Sequence, residues 1–425
     1  MSWTLAVVAA VVLVYAVLAR RLDRAGVTPA IFFVSCALAL GGKSLGWIDL
    51  APNGTSIHVL AEVTLTLVLF TDASRIDLPA LRREYLVPLR LLAIGLPLTI
   101  LAGWATAAWI LPNLSLGEAL VLAIILAPTD AALGQAVVAD PRLPSRIRQG
   151  LNVESGLNDG ICVPLLVIAI GLSEAEAHTS SVSSAVEVTA KAIGYGVLFG
   201  VLCGAAGGIL LRLGAEHEWT DTIWTQLVPV ATAALAYGTA TPTGGSGFIA
   251  AFVAGLSFGI VLRGREVPSG ALEDLADLAN AGTFIVFGAA IAGAAVAAMS
   301  WREGLYAVVS LTVVRMVPVA LALARTGARP PTTAFVGWFG PRGLASIVFL
   351  VIVVEETSLP NLSVLEVAVV CTILLSVYAH GLTARPLTAR YAEWYRRHPN
   401  THLPMESVHA PPHRPRSARL DRSTS

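Results

Sequence analysis

The stretch Asn152-Val153-Glu154-Ser155-Gly156-Leu157-Asn158-Asp159-Gly160 lies inside an otherwise apolar run, residues 147–171. A bilayer-crossing helix takes roughly 20 mostly apolar residues, so this run is long enough to span. Ionisable groups inside such a helix are costly and face a partner or a wet cavity. On a helix, Ser155 and Asp159 share one face, while Glu154 and Asn158 form a second stripe rotated by roughly 100°. The first stripe offers a hydroxyl and a carboxylate, oxygen donors suited to a hard cation. The second offers a carboxylate with an amide beside it, suited to holding an arginine.

The surrounding chain has the composition of a membrane protein. Its 425 residues are 55% hydrophobic and 13% charged, with a mean hydropathy of +0.73; soluble domains carry roughly a quarter charged residues. An ordinary cytosolic enzyme is excluded. Lys+Arg 28 against Asp+Glu 28 leaves no net charge to draw a nucleic acid. Cys36, Cys162, Cys203 and Cys371 lie in apolar runs without metal-ligand spacing and read as packing residues. Thr243-Gly244-Gly245-Ser246-Gly247 lacks the lysine and the setting of a phosphate loop, so no nucleotide is expected and energy must come from ion gradients.

The fold class expected is an all-α polytopic membrane protein of about thirteen spans: 3–19, 27–42, 57–73, 87–111, 116–139, 147–171, 183–212, 223–240, 245–262, 279–299, 304–324, 332–354 and 364–384. With the N-terminus outside, the inner loops hold Arg20, Arg21, Arg24, Arg75, Arg82, Arg83, Arg90, Arg142, Arg146, Arg148, Arg212, Arg263, Arg265, Arg325 and Arg329, against Lys43 and Arg302 outside. Cytoplasmic loops retain such charges, which supports both the orientation and the span count. Residues 1–385 read as one transmembrane domain, and the polar 386–425 as a cytoplasmic, mostly disordered tail. Trp3, Trp47, Trp109, Trp219 and Trp301 lie near expected helix ends, as aromatic belts do.

Five ionisable groups lie well inside spans: Asp130, Glu154, Asp159, Arg315 and Arg342. At ~1.5 Å per residue they lie ~10–18 Å from the inner ends of their helices, near one depth. The fifth span carries Ala127-Pro128-Thr129-Asp130 and the twelfth Gly340-Pro341-Arg342-Gly343. Proline removes an amide donor and breaks the helix, which lipid tolerates only where the break is packed in protein or lines a cavity. Paired broken helices at corresponding positions of two inverted halves mark substrate sites in secondary transporters. The expected repeats are about 1–171 and 223–384, linked by the helix 183–212, with Asp130 and Arg342 balancing exposed half-helix dipoles.

In these residues the chain resembles the NhaP-type sodium–proton exchangers of the monovalent cation–proton antiporters, over about residues 5–390. The resemblance rests on Thr129-Asp130, Glu154-Ser155, Asn158-Asp159, the mid-span Arg315, the Gly-x-Arg-Gly of the twelfth span and His380-Gly381-Leu382-Thr383. It implies a dimerisation domain and a mobile core, elevator-like alternating access, a homodimer in the cell membrane, and no cofactor beyond the transported Na+ (or another monovalent cation) and H+. By resemblance, Asp159 is the main cation and proton site, assisted by Asp130, the Ser155 hydroxyl and the Thr129 carbonyl. Glu154 pairs with Arg315, steadied by Asn158. The Asn-Asp pair resembles the electroneutral branch. Ala131 departs from the family's usual proline, and Pro341 stands where a leucine often precedes the arginine.

Alternatives are a potassium–proton antiporter, a cation-coupled symporter and, far behind, an intramembrane aspartyl protease using Asp130 and Asp159, whose Gly-x-Gly-Asp string is missing here. Asp72 reads as interfacial or as capping a turn, and Glu187 with Lys191 as a structural pair. Glu62 reads as facing either an outer funnel or an interface. His380 reads as a packed, hydrogen-bonded histidine in preference to a pH sensor. The small-residue run 288–293 reads as a site of close helix packing.

Overall fold

Backbone in lipid has no water to bond, so apolar runs of this length satisfy themselves as helix. The computed structural model describes residues 2–42, 44–48, 50, 54–76, 86–130, 132–177, 182–263, 267–398 and 406. Lys43, Arg82, Arg83 and Arg265, used above for orientation, lie outside the described residues. The helices, in chain order, are α1 (Ser2–Arg24), α2 (Pro29–Leu40), α3 (Thr55–Ser74), α4 (Leu86–Ile110), α5 (Leu116–Ile125), the single turn α6 (Gln135–Val138) and α7 (Ser145–Glu176). They continue as α8 (Val182–Glu216), α9 (Thr222–Ala240), α10 (Gly247–Val261), α11 (Gly270–Ala298), α12 (Trp301–Ala322), α13 (Pro330–Trp338), α14 (Leu344–Glu356) and α15 (Leu362–Arg397).

Eight of these are long and apolar enough to cross a membrane: α1, α3, α4, α7, α8, α11, α12 and α15; α2, α5 and α10 are shorter apolar helices. The protein is a multi-pass membrane protein. The two expected breaks are present. The run 116–139 is helical to Ile125 and resumes at Gln135, and 332–354 divides into α13 and α14 around residues 339–343. The five belt tryptophans are all exposed, and the four cysteines are free.

Packing sorts the helices into two groups. In the first, α8 lies along α10, α10 along α3, α3 along α11, and α2 against α11. Gly288 in the small-residue run of α11 lies against Val34 and Ala37 of α2, the close approach expected there. In the second, α5 packs between α4 and α7, α12 runs against α4 and α15, and α13 and α14 pack on α12 and α15 respectively. The seam between the groups includes α7 against α8 and α3, α14 against α3, and α11 against α15.

The tail begins later than its composition suggests. α15 continues without interruption to Arg397, because Tyr391 and Ala392 are buried and Tyr391 stacks on Phe335 of α13 at 4.3 Å. A polar sequence gives no apolar period here because the burial rests on a few aromatic contacts. Farther on, the buried Glu406 accepts hydrogen bonds from Thr332 Oγ1 (2.7 Å) and Arg329 N (3.1 Å) at the start of α13. The remaining residues beyond 398 lie outside the described set.

At the opposite end, Glu118 is a buried carboxylate that the span reading overlooked. It completes a capping box with Ser115 and also accepts Asn361 N (2.7 Å) and Asn361 Nδ2 (3.0 Å), tying the start of α5 to the start of α15. Glu118→Ala should therefore destabilise the protein by about 2 kcal/mol, the scale of hydrogen bonds to a charged group. A lowered thermal midpoint in detergent is the expected readout, and an unchanged midpoint would contradict the assignment.

Candidate functional site

The break in α5 leaves carbonyls without helical partners, and the break between α13 and α14 leaves amides without them. The structure brings the two sets together. Arg342, fully buried, donates from one guanidinium nitrogen to the carbonyls of Ala127 (2.7 Å) and Pro128 (2.9 Å). Ser346 Oγ donates to the Ile125 carbonyl at 2.7 Å. In return Asp130 Oδ2 accepts the first amide of α14, Leu344 N, at 2.9 Å, while Asp130 N donates to the Pro341 carbonyl at 2.8 Å. A cation at a helix C-terminus and an anion at an N-terminus each oppose the local dipole, as expected for these two residues. The chains pass so closely that a Cβ on Gly343 would collide with Asp130 Oδ2, and one on Gly340 with the Arg315 guanidinium.

Beside this crossing, Arg315 of α12 forms a bidentate pair with Glu154 of α7, at 2.6 Å and 2.9 Å. Both side chains are about 3% exposed. A fork-to-fork guanidinium–carboxylate contact is the geometry in which a buried pair satisfies most of its own hydrogen bonds.

Between the pair and the crossing lies a neutral network. Asn158 Nδ2 donates to Thr129 Oγ1 at 2.7 Å, and Thr129 Oγ1 lies 2.9 Å from Ser155 Oγ. Thr129 Oγ1 accepts from the amide, so its own hydrogen is available to Ser155. Among the described residues, Asn158 Oδ1 is buried without a donor. Asp159, 6% exposed, stands one turn beyond Ser155 on the same face of α7.

The expected residues are thus partly assembled and partly redistributed. Thr129, Ser155 and Asn158 meet; Glu154 meets Arg315; Asp130 and Arg342 bind the opposite break. Asn158, expected to steady Glu154, bonds to Thr129 instead, because both Glu154 oxygens already face Arg315. Asp130, expected to assist at the cation site, accepts backbone amides with both oxygens, Oδ1 also taking Ala132 N at 2.8 Å. Sequence reading missed Ser346 and Ser376, whose signal, a hydroxyl in an apolar stretch opposite a proline break, is visible only once the helices are paired. Of the residues set aside as structural, Lys191 and Glu187 do pair at 2.6 Å. Asp72 lies beside Gly156, and Glu62 accepts the Tyr237 hydroxyl.

Residues 7–390 match the family described as sodium/hydrogen exchanger, transmembrane. The chain belongs to that family. It is 25% identical over 334 residues to the K(+)/H(+) antiporter NhaP2 of Shewanella oneidensis, an alignment covering 77% of this chain and 57% of that protein. It is 31% identical over 144 residues to the Na(+)/H(+) antiporter of Saccharomyces cerevisiae, covering 32% of this chain and 14% of that one. The chain therefore spans little more than half the length of the NhaP2 relative. Among solved structures, the sodium proton antiporter MjNhaP1 from Methanocaldococcus jannaschii superposes with a TM-score of 0.73 at 18% identity, over 92% of this chain and 98% of that one. The exchanger fold is shared.

The buried Glu154–Arg315 pair gives a direct test. Removing one partner leaves an uncompensated charge, so Glu154→Gln and Arg315→Met should each cost about 3–5 kcal/mol. The double variant should recover most of that loss. Thermal midpoints of the four proteins in detergent check this, and strictly additive losses would contradict the pairing.

Proposed function

We propose that the protein is a secondary antiporter that exchanges a monovalent cation for a proton, with Asp159 as the shared carrier. The observation that carries this reading is the Thr129–Ser155–Asn158 network, which joins the break in α5 to the turn of α7 bearing the buried Asp159. Ser155, the Thr129 carbonyl and Asp159 supply oxygens for the cation, and Asp130 adds its negative charge from the crossing. Glu154, Asn158, Arg315 and Arg342 hold these groups in place. No resident cofactor takes part, and the protein catalyses no covalent step.

Charge arithmetic makes the exchange obligatory. Asp130, Glu154 and Asp159 against Arg315 and Arg342 leave one net negative charge. A carboxylate removed from water is unfavourable unless a proton or a cation neutralises it. One proton or one monovalent cation suffices, so the carrier crosses only when loaded with one or the other, and the cycle is electroneutral. The wider proposal is thirteen spans in two inverted repeats, an N-terminus outside and a C-terminus in the cytoplasm, in a homodimer of the cell membrane. The helices α3, α8, α10 and α11 form its static part, and α4, α5, α7 and α12–α15 the part that moves.

Sodium and potassium are both candidate cargoes. The NhaP2 relative carries the name of a potassium–proton antiporter, and the yeast relative that of a sodium–proton antiporter. In inverted vesicles with a pH dye, pulses of sodium, lithium or potassium should dissipate an imposed proton gradient. Asp159→Asn should reduce this to the level of vesicles lacking the protein while insertion is retained. Sustained exchange in that variant would refute Asp159 as the carrier.

A further inference from the structure

The crossing satisfies α5 and α14, but a third broken end remains. α13 stops at Trp338 and the chain turns away through Phe339-Gly340-Pro341, so the Trp338 carbonyl loses its place in a helical ladder. That oxygen accepts Gly340 N at 2.8 Å and lies 2.9 Å from His380 Nε2. A carbonyl only accepts, so with the ring hydrogen on Nε2 the imidazole donates to Trp338 and Nδ1 is its acceptor. His380 Nδ1 lies 3.1 Å from Ser376 Oγ and 3.0 Å from the Ser376 carbonyl of its own helix, and Ser376 Oγ accepts Arg342 N at 2.6 Å. The hydroxyl therefore takes the Arg342 amide and passes its own hydrogen to the ring. Ser376 and His380 stand one turn apart on α15, 0% and 1% exposed, and the Trp338 ring leans on the imidazole at 5.0 Å. Trp338 is held in turn by Nε1 donating to Thr383 Oγ1 at 3.0 Å.

One imidazole thus grips both ends of the 339–343 break: the last carbonyl of α13 directly, and the Arg342 main chain through Ser376. The Arg342 guanidinium reaches from that main chain to the carbonyls of Ala127 and Pro128, which immediately precede Thr129. We infer that His380, acting through Ser376 and Arg342, is a positioning residue for cation binding, fixing where the Thr129 carbonyl and hydroxyl stand opposite Ser155 and Asp159. It touches no ion. The inference rests on the exchange proposed above.

The test is cation dependence of exchange at fixed pH in inverted vesicles, with rates divided by the amount of inserted protein. His380→Leu removes both ring nitrogens and should raise the half-saturating concentration of the transported cation about tenfold, the scale of one lost buried hydrogen bond, with the maximal rate much less affected. His380→Gln keeps a donor that can reach the Trp338 carbonyl and should return half-saturation to within about threefold of wild type. Ser376→Ala should shift half-saturation in the same direction as His380→Leu. A merely structural histidine would lower the amount of inserted protein and leave half-saturation untouched; that result, or His380→Gln behaving as His380→Leu, overturns the inference. Should His380→Leu fail to insert, an unshifted Ser376→Ala overturns it equally. Wild-type vesicles without any cation-driven exchange would instead refute the transport reading itself.

Discussion

Two helices that stop in the middle of a membrane expose backbone groups which lipid cannot bond, and those groups must find partners inside the protein. Here they find one another. Arg342 covers the open carbonyls of α5, Asp130 covers the open amide of α14, and a main-chain bond from Asp130 to Pro341 ties the breaks together. Each ion lies against a helix end whose partial charge opposes its own, so two full charges stay buried without forming a salt bridge with each other. The glycines at 340 and 343 follow from the same constraint, because any side chain there would occupy space taken by Arg315 or Asp130.

That arrangement assigns the charges their duties. Arg342 and Asp130 serve the breaks, Arg315 and Glu154 serve each other, and Asp159 stands buried one turn beyond Ser155 on α7. Ser155, one turn earlier on the same face and in contact with Thr129 Oγ1, offers the kind of oxygen that hard cations take. A site assembled from fixed dipoles and one titratable carboxylate can hold a proton or a metal ion in turn. The placement of α7 and α14 at the seam between the two helix groups puts that carboxylate's helix where a relative movement of the groups would change the side from which it is reached.

Much of this was legible from residue order alone. The apolar runs gave the helices, the prolines at 128 and 341 gave the breaks, and the acidic and basic residues at one depth gave the polar centre. The Glu154–Arg315 pair was legible too, because a buried guanidinium needs a carboxylate and few are available. What failed was partner choice among near neighbours. Helical spacing places Asn158 beside Glu154, but both Glu154 oxygens are filled by Arg315, so the amide turns to Thr129. Nor can spacing reveal that an amide from residue 344 lies within bonding distance of Asp130. The extension of α15 to Arg397 escaped notice because the burial of Tyr391 depends on stacking with Phe335, a contact set by tertiary approach and not by periodicity.

The central claim is that one proton and one monovalent cation compete for a centre carrying a single net negative charge. Calorimetry of the detergent-purified protein, titrated with sodium and with potassium in buffers of differing ionisation enthalpy, counts the protons released as the cation binds. The account predicts about one proton per bound cation when the titration starts from the protonated protein, falling toward zero as the starting pH is raised and the centre is already deprotonated. Binding that releases no proton at any pH, or that releases two, would contradict it.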